Sequence, residues 1–432
     1  MRILQETTMS MWSLVRLCFW CVAFALAGPS AISAQDQPAA STSRVSLLTA
    51  ERDHKATTIA RPTRSSTERA LYWYDNQYVL AKIFGGWHGI HLGGGDFPAG
   101  AGVKFGVGFT HEIGSATSGV NPERANRLGI DAVAAYSTRG YTRVAAGFNV
   151  RNLGGAPLDL RVRSQYYEFP QEDFFGLGPG SRKQDRTDYL FGGTDTGADL
   201  QWTPSRFVDL GGGIAYLTTR VGSGTDVRFP STEEVFDATT LPGFREHPDF
   251  LRTSAGIAFD WRDNPLHAHA GGRYGVHVAD FRDRDLNAFD FRRVQVDLQQ
   301  YVPLPNRYRI LALRAAAVLT DADTGQQVPF FYQPTLGGRQ ALRGFREFRF
   351  RDRNSLLFTA EYRWEAWWAL DGALFVDAGT VAARRRELTL RDLDTSYGIG
   401  FRVHSNRAFV ARLDLAFSRE GFIPLLRFEH VF

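Results

Sequence analysis

Residues 356–364 read LLFTAEYRW, and residues 372–379 read GALFVDAG. In the first stretch an apolar residue stands at every second position, and the charged residues are confined to the other set of positions. This period of two predicts a β-strand whose two faces differ in polarity. The apolar face could form the core of a soluble β-sandwich or the lipid-facing surface of a membrane barrel, so alternation alone leaves both folds open.

The same alternation recurs along the chain from about residue 83 onward. Most of the candidate strands reach the roughly 9 to 11 residues that cross a bilayer at a tilt. The polar face mixes glycine with charges of both signs, tryptophans lie at strand ends, and the chain stops inside a strand on Phe432. These features favour an all-β fold, a transmembrane antiparallel β-barrel, because an aqueous lumen and interfacial aromatic girdles require this pattern. We predict sixteen strands, at residues 83–93, 102–111, 127–136, 139–150, 157–168, 187–202, 205–220, 250–262, 271–281, 288–301, 307–320, 353–364, 369–381, 393–404, 408–418 and 421–432. Tight turns are expected at residues 152–155 and 203–205.

The first 34 residues have the pattern of a secretory signal peptide. Arg2 and Arg16 supply positive charge, residues 17–26 form an apolar core, and residues 27–34 include small residues suited to cleavage. A short buried helix is the alternative interpretation of this segment. Two later methionines could also serve as the start of translation. We expect a signal peptide at residues 1–34.

The remaining chain divides into a linker and a barrel. The longest apolar run, residues 17–28, is shorter than the roughly 20 residues that a membrane-spanning helix needs. Residues 35–82 are rich in Ser, Thr, Ala, Arg and Pro at first, and the aromatic stretch 70–84 could be a short helix or a first strand. We therefore expect a linker with a short helix at residues 35–82 and a barrel domain at residues 83–432.

The composition argues against several functional classes. The net charge is +4, but Lys and Arg are not clustered, so no nucleic-acid partner is expected. The longest basic run, residues 384–386, is interpreted as a solvated loop rather than a contact with anionic lipid headgroups. Cys18 and Cys21 are the only cysteines, and both lie in the predicted signal peptide. The motifs G-x-S-x-G, H-E-x-x-H and G-x-x-x-x-G-K-[ST] do not occur, and His267 and His269 lack a third ligand. We expect no enzymatic activity, no cofactor and no metal site.

Three motifs follow one another in the last hundred residues. They are LRGF at residues 342–345, EYR at 361–363 and FVDAG at 375–379. This order resembles the C-terminal barrel of the BamA, TamA and TpsB superfamily of outer-membrane proteins, also called bacterial surface antigens. Two upstream stretches, FGLG at 175–178 and DWRDNP at 260–265, are similar to further motifs of that superfamily. The resemblance covers roughly residues 85–432.

The resemblance implies that the sixth outer loop folds into the barrel lumen and is held there by an arginine. Arg343 is expected to contact Asp377 and Phe375 on the inner wall, because a buried guanidinium needs carboxylate partners. The alternative is a solvated loop arginine, with the lumenal carboxylates paired to Arg363 and Arg402. The residues assigned to this loop anchor are Arg343, Gly344, Phe345, Glu361, Phe375 and Asp377.

The last predicted strand places Phe422, Leu426, Phe428 and Phe432 on one face. This arrangement resembles the C-terminal signal by which the barrel-assembly machinery recognises its substrates, and we assign that signal to Phe428 and Phe432. An ordinary lipid-facing stripe is the alternative, and both interpretations can hold together.

One departure from the superfamily bears on function. Members that insert or secrete proteins usually carry POTRA domains before the barrel, and residues 35–84 are too few for them, so a POTRA-less member is expected. The first hypothesis is assistance in inserting or translocating a protein or lipid at the bacterial outer membrane, and the alternative is a passive pore or structural surface antigen. The implied partners are outer-membrane lipid and lipopolysaccharide, the barrel-assembly machinery during biogenesis, and a protein client.

Overall fold

The computed structural model of the chain describes residues 89–92, 97–98, 100–114, 127–237, 239, 241–265, 267–305, 309–367, 370–404 and 409–427. The predicted signal peptide at residues 1–34 and the linker at residues 35–82 lie outside these ranges, as do Phe428 and Phe432 of the predicted C-terminal signal. The assignments made for these segments therefore stay predictions.

The described residues form eighteen strands and a few short helical turns. The strands are β1 (Ile90–Leu92), β2 (Lys104–Gly114), β3 (Arg127–Ser137), β4 (Thr142–Arg151), β5 (Leu158–Phe174), β6 (Thr187–Ser205), β7 (Val208–Ser223), β8 (Phe250–Asp260), β9 (Gly271–Asp283), β10 (Phe291–Pro303), β11 (Arg309–Ala322), β12 (Thr335–Leu336), β13 (Phe350–Arg351), β14 (Asn354–Trp367), β15 (Leu370–Ala382), β16 (Asp394–His404), β17 (Phe409–Ser418) and β18 (Gly421–Arg427). The helical turns are α1 (Thr232–Val235) and four 3₁₀ segments at Leu153–Gly155, Lys183–Asp185, Phe330–Tyr332 and Arg385–Glu387.

Sixteen of these strands form one antiparallel sheet in which each strand pairs with its neighbour in the chain. The order departs from simple succession once, where β11 pairs with β14 across the segment that carries the two-stranded ladder of β12 and β13. The predicted count of sixteen is confirmed, and most strands begin and end within a few residues of the predicted limits. Within the described part of the chain, no helix has the length and hydropathy of a membrane-spanning segment.

The two faces of the sheet decide between a soluble sandwich and a membrane barrel. On β15, the side chains of Leu374 and Val376 are 51% and 53% exposed. The residues that alternate with them, Phe375 and Asp377, are 3% and 0% exposed. A soluble sandwich buries its apolar face, so apolar residues outside and carboxylates inside indicate a surface that faces lipid. The fold is a sixteen-stranded transmembrane antiparallel β-barrel.

The two longest connections of the sheet, residues 224–249 and 323–353, lie at the same end of the barrel. We call this end the long-loop end; its longest connection is the segment 323–353 between β11 and β14. The predicted short turn at residues 152–155 forms as a 3₁₀ segment. The predicted turn at residues 203–205 is wrong, since β6 runs on to Ser205, which pairs with Val208. Pro204 lies in a register irregularity there, because proline cannot donate to the ladder.

The sheet has two terminal strands, β1 and β18. No hydrogen-bonded pair between these two strands occurs among the described residues. β18 pairs with β17 from Gly421 to Arg427, and Pro424 interrupts the donor pattern on this strand. The other edge of β18 therefore has no described partner strand.

Candidate functional site

The segment 323–353, which we call the plug loop, turns back from the long-loop end and buries its central residues against the barrel wall. Gly337 allows the turn, with φ of 114°, and a Cβ atom there would lie 2.1 Å from the carbonyl oxygen of Arg346. Only glycine fits such a left-handed, closely packed position. Six residues further on, Arg343 is 1% exposed, so the tip of the plug loop lies in the interior.

Arg343 contacts Asp377 on β15 through three hydrogen bonds. Its Nε donates to Oδ2 at 2.8 Å, its Nη2 donates to Oδ1 at 2.7 Å, and its backbone N–H donates to Oδ2 at 3.2 Å. Thr359 and Ser396 also donate their hydroxyls to the Asp377 carboxylate, each at 3.1 Å. The paired side-chain bonds have the bidentate geometry that fixes both the position and the orientation of a guanidinium.

Phe375 and Glu361 complete the surroundings of Arg343. The guanidinium carbon lies 3.5 Å from the centre of the Phe375 ring, a cation–π contact, and Nη1 donates to Oε1 of Glu361 at 2.6 Å. Burial alone would lower the pKa of the Arg343 guanidinium, but the charges of Asp377 and Glu361 raise this pKa above its ordinary value. Arg343 is therefore charged at every accessible pH. We call Arg343, Glu361, Phe375 and Asp377 the ionic anchor.

The Glu361 carboxylate accepts hydrogen bonds from several arginines. Arg363 on the same strand donates to Oε2 at 2.8 Å, and Arg402 on β16 donates to both oxygens at 2.7 and 2.8 Å. Arg412 on β17 lies 3.6 Å away. The sequence offered these pairings of Glu361 as the alternative to contact with Arg343, but the structure contains both sets of contacts. The functional importance of the ionic anchor stays a prediction.

Gly344 and Phe345, the next residues of the tip, pack against the end of the sheet. The carbonyl oxygen of Gly344 accepts a 2.6 Å hydrogen bond from the hydroxyl of Ser418, the last residue of β17. A Cβ atom on Gly344 would lie 2.6 Å from the carbonyl oxygen of Phe417, so no side chain fits there. Phe345 is 1% exposed and makes an edge-to-face contact with Phe350, with ring centres 5.1 Å apart.

Sequence reasoning missed two charged residues of this site, Arg412 and Asp414 on β17. They form an ion pair with each other, and Asp414 also lies 3.8 Å from Arg343. Arg402, Arg412 and Arg427 occupy directly opposite register positions on three adjacent strands, and all are buried. Neighbouring like charges cost free energy, so carboxylates must lie among them. Strand parity could have placed these arginines on the lumenal face, but their register could not be read from sequence.

A second contact that sequence reasoning missed joins the plug loop to the tip of the β17–β18 hairpin. Arg349 is 1% exposed, and its Nε donates to Oε1 of Glu420 at 2.7 Å. Its two Nη atoms donate to the hydroxyl and the carbonyl oxygen of Ser181 at 2.8 and 2.7 Å. Lys183 donates to the carbonyl oxygen of Glu420 at 2.7 Å. We call this arrangement the hairpin clamp, because one arginine binds three loops together.

The base of the plug loop packs into an aromatic cluster at the long-loop end. Phe330 is fully buried, and its ring lies 4.9 Å from Tyr189 and 5.4 Å from Phe174. The Arg351 side chain donates a hydrogen bond to the carbonyl oxygen of Phe330 at 3.0 Å. The carbonyl oxygen of Arg351 accepts a hydrogen bond from the N–H of Gly178 in the FGLG stretch. The aromatic cluster consists of Phe174, Tyr189, Val221, Leu241, Phe244, Phe330 and Phe331, with Phe191, Phe236 and Tyr332 packed against it.

Comparison with known proteins places this geometry in a family. Residues 124–421 match the Omp85 superfamily domain. Among solved structures, the chain is similar to BamA from Haemophilus ducreyi lacking POTRA domains 1–3, with a TM-score of 0.53 and 14% identity over 87% of this chain and 82% of that one. It is also similar to CdiB from Acinetobacter baumannii, with a TM-score of 0.45 and 11% identity over 78% of this chain and 57% of that one. No curated protein sequence matches.

The family match covers most of the barrel, and the BamA similarity independently supports the same fold. The resemblance to the BamA, TamA and TpsB superfamily, predicted from the order of the LRGF, EYR and FVDAG stretches, is confirmed. The predicted location in the bacterial outer membrane is confirmed with it. The chain belongs to the Omp85 superfamily of outer-membrane β-barrel proteins.

Proposed function

We propose that this barrel assists the insertion or translocation of a protein at the outer membrane, through an opening beside β18. The observation that carries the proposal is the contrast between the two edges of the β17–β18 hairpin. On one side it pairs with β16 and is bound to the plug loop, whereas no described strand pairs with the other edge of β18. An unpaired edge is a template on which a strand of another chain can form.

The plug loop supports the terminal hairpin at two points. The hydroxyl of Ser418 is bound to the carbonyl oxygen of Gly344, and Glu420 is bound to Arg349. Both contacts belong to a loop whose tip the ionic anchor fixes to β14 and β15. The edge of β18 that has no described partner strand can therefore open or accept a client strand while the rest of the wall keeps its shape.

The aromatic cluster and the plug loop argue against the alternative of a passive pore. Phe330 and Arg351 are 0% and 2% exposed, so the base of the plug loop is packed against the wall at the long-loop end. A steady aqueous path needs a lumen lined by solvated polar groups. A passive pore would require displacement of the plug loop, whereas assistance at the edge of β18 does not.

Two measurements together test the proposal. The first is the conductance of the purified chain in a planar bilayer, where we expect a closed baseline with brief openings. The second is the outer-membrane proteome after depletion of the protein, where we expect reduced amounts of particular barrel or surface proteins. A steady open conductance with an unchanged proteome would instead establish the passive pore.

A complementation assay connects the geometry to the activity. The depleted strain is supplied with the wild-type chain, with Arg343→Ala, or with Arg391→Ala as the matched control. Arg391 is an exposed arginine on the connection between β15 and β16. We expect Arg343→Ala to restore the lost proteins poorly and the control to restore them fully. Full restoration by Arg343→Ala would remove the ionic anchor from the proposed mechanism.

A further inference from the structure

A cavity of about 600 Å³ lies at the long-loop end, directly beside β18. Residues 422–425 of β18 form one wall. The opposite walls come from the turn after β3, from the end of β5, from the connections that follow β5 and β7, and from the plug loop. This volume is within the roughly 300–1,000 Å³ range of ligand sites in proteins. The cavity is separate from the ionic anchor, because none of the four anchor residues lines it.

The acidic residues of the cavity wall are already neutralised. Asp173 lies 2.9 Å from Arg186, and Glu420 lies 2.7 Å from Arg349. The other two carboxylates are paired in the same way, Asp226 with Arg228 and Glu347 with Arg339. The four carboxylates therefore contribute no net negative charge that could balance additional cations.

Three cations of the wall remain without a carboxylate partner among the described residues. Arg139 donates to the carbonyl oxygen of Gly100 at 2.5 Å, and Lys183 donates to that of Glu420 at 2.7 Å. Both acceptors are neutral. The side chain of Arg346 is exposed, and within the described ranges it forms no hydrogen bond and no ion pair. The charges of these three cations come in addition to the paired charges of the wall, and together they create a local field that attracts an anion.

We propose that this cavity binds the phosphate-bearing headgroup of an anionic outer-membrane lipid, whose acyl chains lie along the outward face of β18. Arginine and lysine are the side chains that bind phosphate oxygens, and three of them match the charge of one or two phosphates. The inference does not rest on the proposed insertion or translocation activity, since a lipid site can exist in either kind of barrel.

The position of the cavity favours a lipid over a free phosphate ion. Its wall includes apolar positions of the last strand, and Phe422 and Leu426 on the lipid-facing side are 51% and 61% exposed. A headgroup held by Arg139, Lys183 and Arg346 would leave its acyl chains next to this apolar surface. A small anion would gain nothing from that surface, because only burial of hydrocarbon provides the additional affinity.

Native mass spectrometry of the purified full-length chain in a neutral detergent tests the site. The probes are phosphatidylglycerol, which is anionic, and phosphatidylcholine with the same acyl chains, which is zwitterionic. Both lipids carry a phosphate, but the choline cation cancels the net charge of phosphatidylcholine and is repelled by the cations of the wall. We therefore expect roughly tenfold stronger binding of phosphatidylglycerol. The double variant Arg139→Gln/Arg346→Gln should lose this preference, and the control Arg391→Gln should keep it.

Three outcomes would overturn the proposal. The first is equal binding of the two lipids by the wild-type chain. The second is an unchanged preference in the double variant, whose folding is checked by its shift on a gel after heating. If the double variant misfolds, Arg346→Gln alone takes its place, because the Arg346 side chain has no described polar contact to lose. The third is complete displacement of phosphatidylglycerol by millimolar inorganic phosphate, which would identify a site for a free anion.

Discussion

The ionic anchor and the aromatic cluster hold the same loop by different physical means. At the tip, Arg343 is fixed by directional, charge-assisted bonds to Asp377 and Glu361. At the base, Phe330 is surrounded by rings of Tyr189 and Phe174 at centre distances of 4.9 and 5.4 Å. Charge-assisted bonds specify one position, whereas aromatic contacts tolerate several and mainly exclude water.

This difference assigns separate tasks to the two regions. The ionic anchor determines where the plug loop lies relative to β14 and β15, and through Gly344 it reaches the hydroxyl of Ser418. The aromatic cluster packs the base of the plug loop against the strands at the long-loop end, where we expect it to restrict passage through the lumen. Loss of the ionic anchor should therefore release the plug loop as a whole. Loss of the aromatic cluster should increase the ion conductance of the barrel while the tip of the plug loop stays attached.

The largest effect is expected for Arg343→Ala. It leaves the buried Asp377 with only neutral donors, the backbone N–H of residue 343 and the hydroxyls of Thr359 and Ser396, and removal of the charged partner from a buried ion pair costs about 4 kcal/mol. We expect a lower free energy of unfolding in urea and rapid proteolysis of the plug loop. Unchanged protease resistance of that loop would contradict the anchoring role. The double variant Arg343→Met/Asp377→Leu should be less damaging, because no buried charge is then left alone.

A somewhat smaller effect is expected for Phe330→Ala. Removal of this fully buried ring should cost about 3 kcal/mol, because the neighbouring rings can fill only part of the space. We expect increased conductance in a planar bilayer with the plug loop still resistant to protease at its tip. If the tip becomes protease-sensitive to the same degree as in Arg343→Ala, the two regions are not independent.

The hairpin clamp should give an intermediate to small effect. Glu420→Gln removes the charged partner of Arg349 but leaves both bonds to Ser181, so we expect a loss of about 2 kcal/mol. The β17–β18 turn should become accessible to protease before the plug loop does. Simultaneous cleavage at both places would show that the clamp and the ionic anchor act as one unit.

The smallest effect is expected at an exposed ion pair on the same end of the barrel. Arg182 is 67% exposed and lies 2.8 Å from Asp185. Because solvent screens such a pair, Asp185→Asn should leave the free energy of unfolding almost unchanged. Its unfolding curve serves as the control for Glu420→Gln, and a change as large as that of Glu420→Gln would show that exposure is a poor guide to stability here.

Much of the fold could be predicted from the sequence because a β-strand repeats every two residues. The alternation in residues 356–364 and its recurrence gave the number of strands, and the order of the LRGF, EYR and FVDAG stretches pointed to the superfamily. The alternation could not say which face is exposed, because an apolar face can meet either a core or lipid. The exposure of Val376 beside the buried Asp377 resolves this question.

The parts of the site that escaped prediction depend on contacts between distant segments. Arg349 belongs to no recognised stretch, and its partners Ser181 and Glu420 are 168 and 71 residues away. Arg412 and Asp414 show only the parity of lumenal residues, which many positions share. The turn expected at residues 203–205 was misplaced because Pro204 suggested a turn, whereas the strand accommodates it in a bulge.

The order of the ionic partners along the chain has a consequence for biogenesis. Among the described residues, every carboxylate that contacts Arg343, at positions 361, 377 and 414, lies after the plug loop in the sequence. The plug loop can be secured only once β14 to β17 have formed, because these partners are contributed by strands that follow it in the chain. We therefore expect engagement of Arg343 to be a late event in maturation, one that distinguishes a completed barrel from a partly assembled one.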